Sequence, residues 1–186
     1  FGTGSAYDVE LNDGGYVAGT NNDLINVSGT VTIGGGAVNV LRENGTDNGA
    51  TYTAGTYTII TAAGGVTGTV DSVSDSFVFL DFSLGYDSNN VYLTSEKIAF
   101  FTDITETANQ TATAAAQEAL GSGTTVYDAL TGLVGDNASA RAAFDALSGE
   151  VHASIHTVLI EDSRFLRKVA NDRIRAAFEN VGAGQG

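Results

Sequence analysis

The hydrophobic period of this chain changes once, and that change limits what the chain can fold into. Up to about Thr94 apolar residues alternate with polar ones; from about Asp103 they recur every three or four positions. Alternation marks pleated strands and the longer spacing marks helices. Tyr7, Val9 and Leu11 alternate with Asp8 and Glu10, Val31 and Ile33 with Thr30 and Thr32, and Val38 and Val40 flank Asn39. Further runs follow at Tyr57–Ile60, at Val66, Val70 and Val73, from Phe77 to Leu84, and at Val91–Leu93. Val, Ile, Thr, Tyr and Phe dominate them, and these residues pack well on a pleated surface. The breakers are Asp13-Gly14-Gly15, Gly34-Gly35-Gly36, Asn44-Gly45, Asn48-Gly49, Gly64-Gly65 and Asp87-Ser88-Asn89-Asn90. With 24 glycines and no proline, the turns rest on Gly, Asn and Asp.

Runs at this spacing fit a sandwich, a barrel or a β-solenoid, and periodicity alone does not choose among them. Heavy use of Thr, Asn, Ser and Gly tilts the reading toward stacked coils, where small polar side chains form ladders. The stretch Asn21-Asn22-Asp23-Leu24-Ile25-Asn26-Val27-Ser28-Gly29-Thr30-Val31 reads as one edge of such a coil, polar in the turn and apolar in the strand. A stack of coils needs a cap, because its last strand otherwise exposes unpaired N–H and C=O groups. The most aromatic stretch, with Phe77, Phe79, Phe82, Tyr86 and Tyr92, reads as a hairpin turning at Asp87–Asn90 that would cover that edge. The same residues would serve equally as the core of any β-domain.

The second half predicts four helices. The first runs from Asn109 to Leu120 and stops at Gly121-Ser122-Gly123; Thr124 or Thr125 caps the next, which carries Val126, Leu130 and Leu133. Asp136 or Asn137 caps a third, with Ala140, Phe144 and Leu147, ending at Ser148-Gly149. A longer helix spans about Glu150 to Asn180 and carries Arg164, Arg167, Lys168, Arg173 and Arg175. Such a basic amphipathic helix suits a membrane surface, a partner groove or a polar channel, or is simply a solvated face. The division falls into residues 1–97, mainly strand, and 98–186, helical.

The net charge of −14 is unevenly spread: Arg42, Lys97 and Arg141 are the only basic residues before position 160. Nucleic acid is therefore not expected as a partner. An apolar fraction of 42% and a mean hydropathy of +0.05 suffice for a packed core. The absence of Met leads us to expect a piece of a longer product, and neither a signal peptide nor a bilayer-spanning helix is found within it. Without Cys there is no disulfide, no thiolate and no Cys-based metal site, which suits export through an oxidising compartment. His152 and His156 stand one helical turn apart, but Ala153-Ser154-Ile155 between them lacks the Glu of a zinc-protease motif. No G-x-S-x-G elbow accompanies Ser148 or Ser154. The acids of residues 1–94 are scattered singly rather than paired as glycoside hydrolysis requires. No cofactor, metal or catalytic residue is assigned, and a non-enzymatic protein is expected.

Three stretches carry a family resemblance. Tyr52–Ala62 followed by Gly65–Val70 is similar to final passenger coils, Leu84–Leu93 to a closing hairpin, and Asn109-Gln110 with Ala143–Ser154 to a helical connector. In this order they resemble the region just before the translocator barrel of bacterial autotransporters (type V secretion). The resemblance implies a mainly β fold: the end of a right-handed parallel β-helix with a capping β-hairpin, followed by an α-helical linker. It implies an autochaperone that caps a secreted passenger, nucleates its folding and tethers it to its barrel. The implied partners are that C-terminal translocator β-barrel, lying outside this chain, and the outer-membrane assembly machinery. The basic helix would lead into the barrel lumen, and the implied location is the outer membrane, the cell surface or the medium. Two alternatives stay open: an adhesive surface module binding a host or neighbouring cell, and the C-terminal end of a carbohydrate-active β-helix enzyme. An uncovered strand edge would also allow self-association.

Overall fold

The structure, a computed structural model, describes residues 1–12, 15–43 and 55–182, and of 150–159 and 179–182 the backbone only. The expected turns at Asp13-Gly14, Asn44-Gly45 and Asn48-Gly49, the stretch Tyr52–Ala54, the side chains of His152 and His156, and the tail after Gly182 lie outside the described residues. The chain forms two compact units, Phe1–Asp145 and Ala146–Gly186.

Among the described residues the first unit begins with nine strands: β1 (Ala6–Leu11), β2 (Ile25–Val27), β3 (Val31–Gly34), β4 (Ala37–Arg42), β5 (Gly55–Ala62), β6 (Val66–Thr69), β7 (Ser72–Ser74), β8 (Leu80–Tyr86) and β9 (Asn90–Lys97). They form three sheets, ordered β1-β4-β7, β2-β5-β9-β8 and β3-β6. The chain visits the sheets in rotation, so each strand pairs with one from the next circuit. Up to β7 every pairing between these strands is parallel, with Ala6 opposite Ala37, Ile25 opposite Ile60, Val31 opposite Val66 and Ala37 opposite Ser72. Then the direction reverses: β9 pairs antiparallel with β5, and β8 antiparallel with β9.

The alternating apolar residues all turn inward. Val9 and Leu11 of β1, Ile33 of β3, Val38 and Val40 of β4 and Tyr57 of β5 are buried in one core. A register shift between Thr58 and Ile60 breaks the alternation in β5, and both Ile59 and Ile60 are buried there. The polar positions between them stack into ladders. Asn39 Nδ2 donates to Asp8 Oδ1 at 2.7 Å across 31 residues, and Ser74 Oγ donates to Asn39 Oδ1 at 2.8 Å across 35. Where β6 passes β3 the backbones come so close that only glycine fits: a Cβ on Gly68, whose φ is +82°, would lie 1.8 Å from the Ile33 carbonyl oxygen.

A 3-10 turn (Phe101–Ile104) leads to α1 (Ala108–Leu120), α2 (Thr125–Thr131) and α3 (Asn137–Ser148); α4 (Glu150–Gly182) follows. Each start has a local cause. Thr107 accepts from the Gln110 N–H while the Gln110 side chain accepts from the Thr107 N–H, closing a capping box before α1. Thr124 stands at the N-cap of α2, with Asp128 accepting from the Gly123 N–H. Asp136 accepts from the N–H and hydroxyl of Ser139 at the head of α3. Gly149, at φ +70°, separates α3 from α4. Phe101, Ala114, Leu130, Ala140 and Phe144 form a second core. The change from strand to helix after Lys97 thus lies inside the first unit, which continues to Asp145. In α2 the buried apolar residues are Tyr127 and Leu130, with Asp128 and Thr131 buried beside them, whereas Val126 of the expected stripe is exposed.

Candidate functional site at the closing hairpin

The hairpin of β8 and β9 ends the parallel stack. In its turn, Asp87 collects donors that would otherwise face water. Its Oδ1 accepts from the N–H groups of Asn89 and Asn90, both at 2.7 Å, and its Oδ2 accepts from the Tyr92 hydroxyl at 2.6 Å. The Tyr92 hydrogen bond, followed by those from Asn89 and Asn90, holds the Asp87 carboxyl well below the usual carboxylate range. The same bond raises the Tyr92 hydroxyl. Asn89 Nδ2 donates to the Ala62 carbonyl at 2.7 Å, fastening the turn to the end of β5. Tyr86 contributes its hydroxyl oxygen, which accepts from the Val70 N–H at 3.1 Å.

The five aromatic residues expected to cover the edge therefore divide their tasks. Phe77 and Phe82 pack with ring centroids 5.2 Å apart in the strand core. Phe79, in the same run, belongs to the helical core: its ring meets Phe101 edge-on at 4.8 Å and lies 6.5 Å from Phe144. Tyr86 is exposed and Tyr92 half-buried, and both act through their hydroxyls, Tyr92 within the turn and Tyr86 on Val70 after β6.

Sequence reasoning passed over Lys97. This last residue of β9 has its Nζ hydrogen-bonded to Glu118 Oε1 on α1 and to the Tyr127 hydroxyl on α2, at 3.2 Å. It also lies over the rings of Phe101 and Tyr127, 4.1 and 4.9 Å from their centroids. The other oxygen of Glu118 accepts from the Phe101 N–H at 2.9 Å. A cleft of about 350 Å³ opens beside this group, between Ile98, Phe100 and Asp103. The signal in the sequence was a lone cation ahead of an aromatic pair, in a stretch otherwise poor in basic residues.

In the second unit α4 carries the basic residues. Arg164 pairs with Glu161 at 2.7 Å, and Arg167 donates to the backbone and hydroxyl oxygens of Ser163. Arg164, Arg167, Lys168 and Arg175 line one shallow groove with Asn171, whereas Arg173 is exposed outside it. Phe165, Leu166 and Phe178 are largely exposed on the same helix. Among the described residues no helix is long and apolar enough to cross a membrane.

Residues 1–145 contain neither His nor Cys, so the first unit has no Ser-His-Asp or Cys-His constellation of its own. Among the described residues no group of three His, Cys, Asp or Glu side chains is placed to hold a metal ion. The residues gathered here join the strand core to the helical core, through Phe79 and through Lys97 with Glu118 and Tyr127.

No protein-family profile matches the chain. Two curated relatives from Serratia marcescens, both named extracellular serine protease, are similar to it. One is 28% identical over 227 residues and the other 27% over 223, each alignment covering 95% of this chain. The chain spans only 21% of the length of either relative. The similarity runs through both units, strands and helices alike.

Proposed function

We propose that this chain is a non-enzymatic module of a secreted autotransporter, whose strands are the last coils of a right-handed parallel β-helix. It caps a β-helical passenger, nucleates that passenger's folding outside the cell, and tethers it through α4 to an outer-membrane translocator barrel. The observation that carries this reading is the reversal at β9. Seven strands stack in parallel, and then an antiparallel hairpin occupies the free edge of β5, with Asn89 fastening its turn. Such a hairpin is a template: it covers the outer edge of β5, and β1, β2 and β3 leave the opposite edges of the three sheets for further coils. Each added coil buries apolar surface at about 25 cal/mol per Å², which biases movement outward where no ATP is present. The names of the two relatives fit a secreted protein. Because the matched region is about a fifth of them, a protease domain has ample room outside it.

The deciding experiment is deletion of β8 and β9 (residues 80–97) in the full-length protein, reading out surface display and protease resistance of the passenger. Loss of a protease-resistant, displayed passenger is expected. An equally displayed and equally resistant passenger in the deletion would refute the folding role.

A further inference from the structure

The helices that follow the hairpin are bound to it too thoroughly to act as a passive connector. We propose that Phe101–Asp145 is the outer half of the cap, and that Lys97 is the positioning residue through which the hairpin and helices fold as one cooperative unit. This rests on the capping role proposed above but concerns only how the cap is built.

Four independent attachments support it. First, the α2–α3 connection pairs with the segment entering β8: the Val78 N–H donates to the Leu133 carbonyl at 2.9 Å, and the Gly135 N–H donates to the Ser76 carbonyl at 2.7 Å. Phe77 and Val134 form an antiparallel bridge between them. Second, Arg42, the last residue of β4, donates to the Gly132 carbonyl at the end of α2 at 3.1 Å. Third, Phe79 is fully buried in the helical core rather than in the strand core. Without the helices that ring would lie in water at the very end of the stack.

Lys97 is the fourth and differs in kind. One ammonium binds a carboxylate of α1, a phenol of α2 and the face of Phe101, so it reaches three separate elements from the end of β9. Its side chain is 17% exposed and that of Glu118 is 23% exposed, so the pair is screened much less than a surface ion pair. Glu118 cannot withdraw without freeing both the ammonium and the Phe101 N–H. Removing either partner strands the other in a largely desolvated position. The pin can form only when β9 is complete to its last residue and the helices have docked. Docked helices thereby mark a finished hairpin.

Native-state hydrogen exchange on the intact chain tests this. In the wild type, amides of β9 such as Leu93 and amides of α1 and α2 such as Ala114 and Leu130 should open with the same free energy, protection agreeing within about threefold. Lys97→Met and Glu118→Gln should each lower protection in both regions together, by about 10- to 100-fold, and Lys97→Arg should recover part of it. The double variant should lose less than the product of the single losses. The wild-type measurement decides the matter even if a variant fails to fold. Helix amides exchanging tenfold or more faster than β9 would overturn the proposal, as would a Lys97→Met effect confined to the helices. Neither result touches passenger display, so a passive connector and a failed capping role remain distinguishable.

Discussion

Truncation of Phe79 to alanine tests whether the hairpin is sealed from outside. The Phe79 side chain is fully buried, with Phe101 edge-on at 4.8 Å and Phe144 at 6.5 Å, so its removal leaves a hole walled by two other rings. Phe→Ala changes in such sites cost about 3–5 kcal/mol, combining lost transfer energy with the unfilled cavity. The lost edge-to-face pair puts Phe79 in the middle of that range or above it, at about 4 kcal/mol. That is a large share of the about 5–15 kcal/mol by which domains are stable. For a chain of this size each kcal/mol moves Tm by about 2–4 °C, so Phe79→Ala should melt about 8–16 °C lower. The assay is thermal unfolding followed by near-ultraviolet circular dichroism, which reads Tyr and Phe here because the chain has no Trp. Phe165→Ala is the control: that ring is 69% exposed on α4 and its loss should stay within about 0.5 kcal/mol. A Phe79→Ala shift below about 3 °C would mean that this ring is not held in a packed interior, where its removal costs several times more.

Gly68→Ala should cost about 3 kcal/mol or more, since the new Cβ meets the Ile33 carbonyl oxygen and the positive φ is strained for any L side chain. Urea unfolding checks it, and an unchanged midpoint would mean that β3 and β6 pass each other less closely than described. Part of the acid sensitivity should lie in the hairpin turn. The Asp87 carboxyl is depressed in the folded chain, so its contribution is present above the ordinary value of 3.8 and is lost as pH falls below it. Melting between about pH 5 and about pH 2 should therefore lower Tm less in Asp87→Asn than in the wild type; equal losses would place the acid sensitivity elsewhere.

Much of this protein was legible locally. The strands appear where Val, Ile, Thr and Tyr alternate with polar residues, because a pleat sends successive side chains to opposite faces. α1 and α3 begin after Thr107 and Asp136, where a side-chain oxygen satisfies an amide group that the helix leaves open, whereas the Thr124 hydroxyl ahead of α2 donates to the Gly121 carbonyl. The turn at Asp87–Asn90 was legible for a similar reason: its bonds run between residues five or fewer apart. Even the division between strands and helices lay in the spacing of apolar residues.

Which strand meets which was not legible. The parallel pairs join residues 31 or 35 apart, and nothing at Ala6 or Ile25 announces a partner at Ala37 or Ile60. The same alternation suits a sandwich, a barrel or a stack, since a period of two specifies a buried face and not the neighbour. Phe77, Phe79 and Phe82 looked like a single cluster, yet Phe79 serves a different core from the other two. That assignment depends on helices arriving from later in the chain. Lys97 is the sharpest case. In the sequence it is one cation among many acids, and only the convergence of α1, α2 and the 3-10 turn selects Glu118 as its partner. Periodicity and capping are local chemistry written residue by residue, whereas pairing and packing join distant residues and exist only once the chain has closed on itself.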